Sequence, residues 1–220
     1  MLANVLTNAG TVNWAPSGGT FYVQNNNANV RGAIYNLAGA LWDLQIDQNI
    51  SCYYCGASEL FNNAGTVRKS GGTGTTCLAV GFYNSGVVSV LAGTLSLGGG
   101  GTVEGTFNAS AGIFINWSGG VFSYSTVPAL NGPGKIQMTG GSLTLASNVI
   151  PNLGMAGGTL SLGAGFQGGT ITNLTLGDST LNGNYAVSGT FNLIWSHRLQ
   201  VDGSQGNFLV SAIEDLIIRV

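Results

Sequence analysis

The sequence contains very little charge. Its 220 residues include 6 Lys or Arg and 8 Asp or Glu, so the formal net charge is −2 and the pI is about 5.0. No cluster of basic residues occurs, which argues against nucleic-acid binding, because such binding relies on Lys and Arg contacts to phosphate. The surface of the folded chain must instead be covered mainly by Ser, Thr, Asn and Gln.

Long apolar segments are also missing. No window of about 18 consecutive apolar residues occurs, so no membrane-spanning helix is predicted. Residues 1–4 lack the basic start and the apolar stretch of a signal peptide. The first repeat begins at Thr7, which leaves little room for the atypical terminal coil that usually covers the end of a solenoid. We therefore expect the chain to be a segment of a longer repeat protein, with any export signal elsewhere in that protein.

Cysteine and histidine are scarce. The three cysteines are Cys52, Cys55 and Cys77, and the single histidine is His197. Cys52 and Cys55 form a CxxC pair, whereas Cys55 and Cys77 are 22 residues apart, about one coil of the repeat described below. A structural zinc site needs four ligands, and the histidine lies several coils away. We predict a local disulfide or unreactive free thiols and disfavour a zinc or redox site.

The abundant feature is a repeat rich in Asn and Gly. Its best copy occupies residues 61–72, and weaker copies begin at Thr7, Tyr35 and Tyr83, so that the four starts lie 28, 26 and 22 residues apart. A repeat of about 20 to 50 residues is typical of a solenoid, in which each coil covers the apolar face of its neighbour. The Gly turn and the short Val/Leu alternation of each copy predict strands. We expect an all-β, right-handed parallel β-helix with Gly at its corners and Asn stacked in hydrogen-bonded ladders.

The second half carries shorter repeats. A Gly-[Ser/Thr]-[Leu/Ile] opening begins at Gly93, Gly141, Gly158 and Gly169. Leu facing inwards and Ser or Thr facing outwards is the alternation of a half-buried strand. Stacked Ser and Thr raise the question of ice binding, but Ser, Tyr and Gly interrupt the regular Thr-x-Thr array that this function needs. Ice binding is therefore disfavoured by the sequence.

The last residues depart from the repeat. We predict that residues 1–200 form the solenoid and that residues 201–220 form a C-terminal cap or tail. Apolar residues recur at helical spacing in this tail, at Ile213, Leu216, Ile217 and Val220. Ser211, followed by Glu214 at the third position after it, matches a capping box, so a short C-terminal helix is expected.

Two runs carry a resemblance to a known class of proteins. FNNAGTVRKSGGTGTT and YNSGVVSVLAGTLSLGGGGTVEGTFNASAG resemble the Gly/Asn-rich repeats of large secreted bacterial surface proteins, the adhesin-like and autotransporter-like β-solenoids. The segment WDLQIDQ resembles a recurrent element of the same repeats. The resemblance covers residues 1 to about 200 and implies a parallel β-helix, export of the parent protein, and an adhesive or structural role. Its motifs are structural and imply no catalytic residue.

Aromatic side chains are the candidate ligand contacts, because the apolar C–H surface of a sugar stacks on aromatic rings. The main candidates are Trp42, Tyr53, Tyr54 and Trp117, and further ones are Tyr124 and Trp195. The alternative, that most of these rings line the core, is favoured. We predict a structural or adhesive module that binds surface glycans or a copy of itself, that forms a homo-oligomer, and that uses no cofactor.

The competing prediction is an enzyme, a hydrolase or polysaccharide lyase that uses carboxylates on one face of the helix and, in this case alone, a divalent metal. The candidate catalytic groups are Asp43, Asp47, Glu59, Glu104 and Lys69, with Arg68 as a further cation for an anionic substrate. Positions i and i+4 of a strand lie about 13 Å apart, which exceeds the roughly 5–9.5 Å of glycosidase carboxylate pairs. Asp43 and Asp47 alone therefore do not supply that mechanism.

A structural role for these charges is favoured over the catalytic one. The repeat alignment places Leu41 beside Val12 and Val67, and so places Asp43 beside Lys69 in the adjacent coil. The two side chains would then form an ion pair between coils, which fixes their register if it is buried. Strict alternation along the strand instead places Leu44 inside and Asp43 outside.

Overall fold

The computed structural model of the protein describes residues 1–15, 17, 19–27, 29–55 and 59–194, and the backbone of two short strands at 209–210 and 218–219. These residues form a parallel β-solenoid of about 7 turns, which confirms the predicted fold class. The described residues contain no α-helix, and their short 3-10 helix spans Phe166–Gly169. No helix in this part of the chain is long and apolar enough to cross a membrane.

Each of the first four coils contributes one strand to each of three sheets, and a small antiparallel pair, β4 and β5, lies between the first and second coils. The strands are β1 (Val5–Asn8), β2 (Thr11–Trp14), β3 (Phe21–Val23), β4 (Asn25–Asn27), β5 (Val30–Arg31), β6 (Ala33–Asn36), β7 (Leu41–Leu44), β8 (Ile50–Cys52), β9 (Leu60–Asn63), β10 (Thr66–Lys69), β11 (Thr75–Ala79), β12 (Gly81–Asn84), β13 (Val87–Val90) and β14 (Thr94–Leu97).

The later coils continue in the same way with shorter repeats. Their strands are β15 (Gly101–Thr102), β16 (Thr106–Ala109), β17 (Phe114–Trp117), β18 (Val121–Ser123), β19 (Ala129–Asn131), β20 (Lys135–Met138), β21 (Ser142–Leu145), β22 (Leu153–Met155), β23 (Thr159–Leu162), β24 (Ile171–Gly177), β25 (Thr180–Asn182), β26 (Ala186–Ile194), β27 (Leu209–Val210) and β28 (Ile218–Arg219).

The strands stack into five parallel sheets that run along the solenoid. Sheet I has the order β1-β6-β9-β12, sheet II β2-β7-β10-β13-β16-β19, and sheet III β3-β8-β11-β14-β17-β20-β22. Sheet IV has the order β15-β18-β21-β23-β25, and sheet V joins β24 to β26, which pairs in turn with β27 and β28. Residues at equivalent places in successive coils therefore form columns, and neighbouring residues within a column are about 4.8 Å apart.

The core is a continuous apolar column inside the coils. Alternate residues of each strand point inwards, as a half-buried strand requires, and the large inward side chains are nearly all fully buried. Aromatic rings stack along the first four coils at centroid separations of 5.1 to 6.3 Å, in the series Trp14, Phe21, Trp42, Phe61 and Phe82.

A buried asparagine ladder lies at one corner of the first four coils, as the sequence predicts. The Asn8 amide donates to the Asn36 side-chain oxygen at 2.8 Å, Asn36 donates to Asn63 at 2.7 Å, and Asn63 donates to Asn84 at 2.7 Å. The last amide donates to the backbone carbonyl of Glu104. Each coil is thus joined to the next by a side-chain hydrogen bond that water does not reach.

The predicted alignment of the third copy is wrong by one residue. The sequence matched Phe61 to Tyr35, whereas the structure pairs Asn62 with Tyr35 and Asn63 with Asn36. Phe61 thereby enters the core, and Asn63 enters the ladder. A shift of one residue moves every side chain of a strand to its other face, so the error carries into the strand that follows.

The next strand shows the consequence. Trp42, rather than Leu41, pairs with Val12 and Val67, so its indole ring points into the core. Asp43 consequently pairs with Arg68 and not with Lys69. The strict alternation predicted for β7 is confirmed, with Leu44 inside and Asp43 on the outer face.

The C-terminal predictions fall largely on residues that the structure leaves undescribed. Ile218–Arg219 form a strand that pairs with β26, so the predicted helix does not extend through these two residues. Residues 211–217 and Val220, as well as Trp195 and His197, lie outside the described residues. The proposed boundary near residue 200 stays a prediction.

Candidate functional site

Asp43 lies on the outer face of sheet II, where Arg68 of the next coil covers it. The guanidinium donates from Nε to Oδ1 at 3.1 Å and from Nη2 to Oδ2 at 2.7 Å, and Gln45 donates to Oδ2 at 3.0 Å. Burial raises the pKa of the Asp43 carboxyl, but hydrogen bonds from Arg68, Gln45 and Ser70, together with the charge of Arg68, outweigh it and lower the pKa to about 2. This carboxylate stays ionised at neutral pH and does not suit a general acid.

Lys69 points inwards and meets Asp47 at the following corner. Its side chain is 0% exposed, and its Nζ lies 2.7 Å from Asp47 Oδ1 and 2.8 Å from the carbonyl oxygen of Gly71. Asp47 Oδ2 accepts the Gly74 backbone N–H at 2.8 Å, and the hydrogen bond from Lys69 is the main cause that lowers the pKa of this carboxyl.

The Gly-rich corner after β10 is shaped around this carboxylate. Gly72 has a φ of +73°, and a Cβ at that position would lie 2.1 Å from Asp47 Oδ1. Only glycine fits both the backbone conformation and the space. The predicted Asp43–Lys69 pair is therefore wrong, and two pairs replace it, Asp43–Arg68 and Asp47–Lys69.

The two glutamates have different environments. Glu104 Oε1 accepts the Ser125 backbone N–H at 2.7 Å, the Ser125 hydroxyl at 2.6 Å and the Thr126 N–H at 3.3 Å. The hydroxyl and amide of Ser125 are the main causes that lower the pKa of the Glu104 carboxyl. Glu59 is buried, with Oε1 accepting the Asn25 N–H at 3.4 Å and Oε2 without a hydrogen-bond partner among the described residues.

These four acids are therefore bonded to separate groups in separate corners and sheets. Asp43 lies in β7, Asp47 in the corner after it, Glu59 just before β9, and Glu104 just after β15. Across the described part of the chain, no three His, Cys, Asp or Glu side chains come together in an arrangement that would hold a metal ion.

Three tyrosines form an exposed cluster near the first corner of sheet III, which we call the tyrosine platform. Tyr22 and Tyr53 have ring centroids 5.8 Å apart, and Tyr53 and Tyr54 have centroids 4.9 Å apart, all packed edge to face. Their exposed fractions are 41%, 51% and 55%. The sequence singled out Tyr53 and Tyr54 but missed Tyr22, which the alternation in β3 places on the outside between Phe21 and Val23.

A disulfide closes the loop that carries two of these rings. Cys52 ends β8 and is bonded to Cys55, so that Tyr53 and Tyr54 lie between the linked residues. The Tyr53 N–H also donates to the carbonyl of Val23 in the preceding coil at 2.8 Å. The sequence left open whether Cys55 pairs with Cys52 or with Cys77, and the structure pairs it with Cys52. Cys77 is a half-buried free thiol, and burial raises its pKa.

The tryptophan candidates do not join the platform. Trp42 and Trp117 are buried in the core, against Phe61 and Phe107 respectively, and are closed to any ligand. The favoured alternative, that such rings line the core, holds for these two. Tyr124 uses its hydroxyl to accept the Ala146 N–H at 3.0 Å.

No protein-family model, no curated protein and no solved structure matches the chain at a significant level.

Proposed function

We propose that this chain is an adhesive β-solenoid module and that the tyrosine platform is its site for carbohydrate. The observation that carries the proposal is the packing of three exposed tyrosine rings, two of them on a loop closed by a disulfide and the third on β3 of the preceding coil. Phenol rings offer apolar faces to sugar C–H groups, and their hydroxyls bond sugar hydroxyls. A ring held by its neighbours loses little side-chain entropy when it binds.

The bonding of the charged residues supports a binding role over a catalytic one. Asp43 and Asp47 each bond a cation and Glu104 bonds a turn, so these groups stabilise corners and neighbouring coils. A general acid needs a raised pKa, whereas the pKa of each of these three carboxyls is lowered. Their roles in the fold account for their presence without a substrate.

The Cys52–Cys55 disulfide supports export of the parent protein. Disulfides persist in oxidising compartments and are rare where glutathione and thioredoxin keep thiols reduced. A secreted or cell-surface location fits both this bond and the resemblance to repeats of bacterial surface proteins.

Self-association is the second part of the proposal. Strands β1 and β2 are the first strands of sheets I and II, and their outer edges pair with no other described strand. Free strand edges are templates for pairing with another chain. We propose that a second copy pairs there, which light scattering would show as a mass above 22.4 kDa that falls on dilution.

The carbohydrate proposal is tested by a glycan array probed with the whole chain and with two single variants. Tyr22→Ala removes a platform ring, and Tyr83→Ala removes a ring of the same 41% exposure from sheet I. Loss of an anchoring aromatic ring costs about 1–2 kcal/mol or more, so Tyr22→Ala is expected to weaken binding about tenfold while Tyr83→Ala leaves it unchanged. A blank array at high protein concentration, or equal loss in both variants, contradicts the proposal.

The enzyme alternative is tested separately. A panel of polysaccharide substrates, with and without divalent metal, is incubated with the wild type and with Asp43→Ala. The proposal predicts no turnover by either protein. Turnover by the wild type that disappears in Asp43→Ala, with the variant still folded by circular dichroism, would replace the adhesive proposal with a hydrolase or lyase.

A further inference from the structure

The outer face of sheet IV carries two columns of small hydroxyl side chains. In β21, β23 and β25 the outward residues of one column are Ser142, Thr159 and Thr180, which pair directly with one another. Val121 of β18 extends this column by one coil. The inward residues between the columns, such as Leu160, fill the core and fix which side chains point outwards.

The second column runs parallel to the first. Thr144 pairs with Ser161, and Ser161 pairs with Asn182, while Thr102 and Ser123 pair at the other end of the sheet. We call these two columns the hydroxyl face. The sequence disfavoured ice binding because Ser, Tyr and Gly interrupt a regular Thr-x-Thr array, but in β21, β23 and β25 the register places Ser and Thr at the same outward positions.

The hydroxyl face is a lattice with two fixed repeats. Neighbouring strands are about 4.8 Å apart, and outward residues i and i+2 of one strand are about 6.6 Å apart. Because the strands are parallel and in register, both spacings recur from coil to coil. The outward side chains of β18, β21, β23 and β25 include no charged or aromatic residue.

The hydroxyls of this face are not used within the described protein. On sheet III, Ser96 and Ser118 bond each other at 2.6 Å, and on sheet II Asn131 donates to Asn108 at 3.3 Å. By contrast, the side chains of Ser142, Thr144, Thr159, Ser161 and Thr180 make no hydrogen bond to any described residue. Thr144 and Thr180 are exposed, and Ser142, Thr159 and Ser161 are half-buried, so these hydroxyls can meet an external partner along both columns.

We propose that the hydroxyl face binds ice. Hexagonal ice is an extended ligand whose oxygens recur in two directions at comparable spacings, and Ser and Thr hydroxyls can both donate to and accept from water. The Thr methyl groups and Val121 add apolar contacts between the hydroxyls. Carbohydrate is the less suitable ligand here, because the face offers no aromatic ring for stacking. This inference does not depend on the tyrosine platform.

The test is partition of the whole chain into slowly growing ice, together with inhibition of ice recrystallisation. Thr144→Tyr places a bulky side chain in the middle of the lattice, and Val121→Lys places a charge at its rim on a side chain that is 71% exposed. Asn108→Tyr, an outward residue of β16 in sheet II, is the matched control. Circular dichroism and thermal unfolding show that each variant is folded.

The wild type and Asn108→Tyr are expected to enter the ice and to keep crystals small, whereas Val121→Lys and Thr144→Tyr are excluded. If the wild type is excluded from the growing ice as completely as serum albumin, a protein that does not bind ice, the proposal is overturned. Equal partition of the wild type and a folded Val121→Lys would do the same. Binding of the wild type to crystalline cellulose or chitin, lost in Val121→Lys while ice binding is absent, would assign the face to a polysaccharide instead.

Discussion

The first four coils and the strands of sheet IV use polar side chains in opposite ways. In the first four coils, amide and charged groups cross from coil to coil, through the asparagine ladder and through the pairs Asp43–Arg68 and Asp47–Lys69. In sheet IV, apolar side chains stack inside, and the outward hydroxyls bond nothing in the described protein. A polar residue in a repeat is therefore evidence for a ligand only where the fold leaves it unbonded.

The largest effect is expected in the asparagine ladder. Asn63 is fully buried and bonds both neighbouring amides, so Asn63→Ala leaves one N–H of the Asn36 amide and the side-chain oxygen of Asn84 unpaired. Each buried unpaired group costs about 1–3 kcal/mol, and we expect a loss of about 4 kcal/mol in the free energy of unfolding. Denaturant titration of the wild type and the variant measures it. A loss below about 1 kcal/mol would show that the ladder does not stabilise the first four coils.

A smaller effect is expected at Asp43 and depends on pH. The carboxyl has a folded pKa of about 2 against an ordinary 3.8, so its stabilising contribution is complete above about pH 4 and is lost as the pH falls towards 2. At pH 7 this contribution is about 2 kcal/mol. Asp43→Asn is expected to lower stability by that amount at pH 7 and to match the wild type more closely near pH 2.

Denaturant titrations at several pH values measure this difference. Arg68→Gln, which removes the partner and keeps the acid, should show the same convergence at low pH. A wild-type advantage over Asp43→Asn that stays constant from pH 7 to pH 2 would contradict the assignment of this pair as a stabilising contact.

The smallest effect is expected on the hydroxyl face. Thr159→Val keeps the shape of the side chain and removes a hydroxyl that bonds no described residue, so the free energy of unfolding should change by less than about 0.5 kcal/mol. The same titration measures it. A loss above about 1 kcal/mol would mean that this hydroxyl serves the fold, and the contrast with Asn63 would fail.

The sequence predicted the solenoid and the ladder because both depend on periodicity, which is visible without coordinates. It did not predict the register of the third coil, since Asn62 and Asn63 are two consecutive candidates for the asparagine of the ladder. The choice is made by burial, because a phenyl ring gains more than an amide from entering the core. One residue of error then exchanged Lys69 for Arg68 as the partner of Asp43.

The site was less predictable than the fold. Whether an aromatic ring lies inside or outside depends on the register, so Trp42 and Trp117 were misplaced among the candidate contacts. Tyr22 lies 31 residues before Tyr53 in the chain, and the two meet because β3 stacks on β8. The alternation of Phe21, Tyr22 and Val23 was the available signal.

We propose that the charged residues serve the fold and that the tyrosine platform serves binding. This proposal is tested most directly by measuring glycan affinity and unfolding free energy for the same two variants, Tyr22→Ala and Asp43→Asn. We expect Tyr22→Ala to lower affinity about tenfold with stability nearly unchanged, and Asp43→Asn to lower stability by about 2 kcal/mol with affinity unchanged. Loss of glycan binding in a folded Asp43→Asn variant, with Tyr22→Ala binding like the wild type, would contradict it.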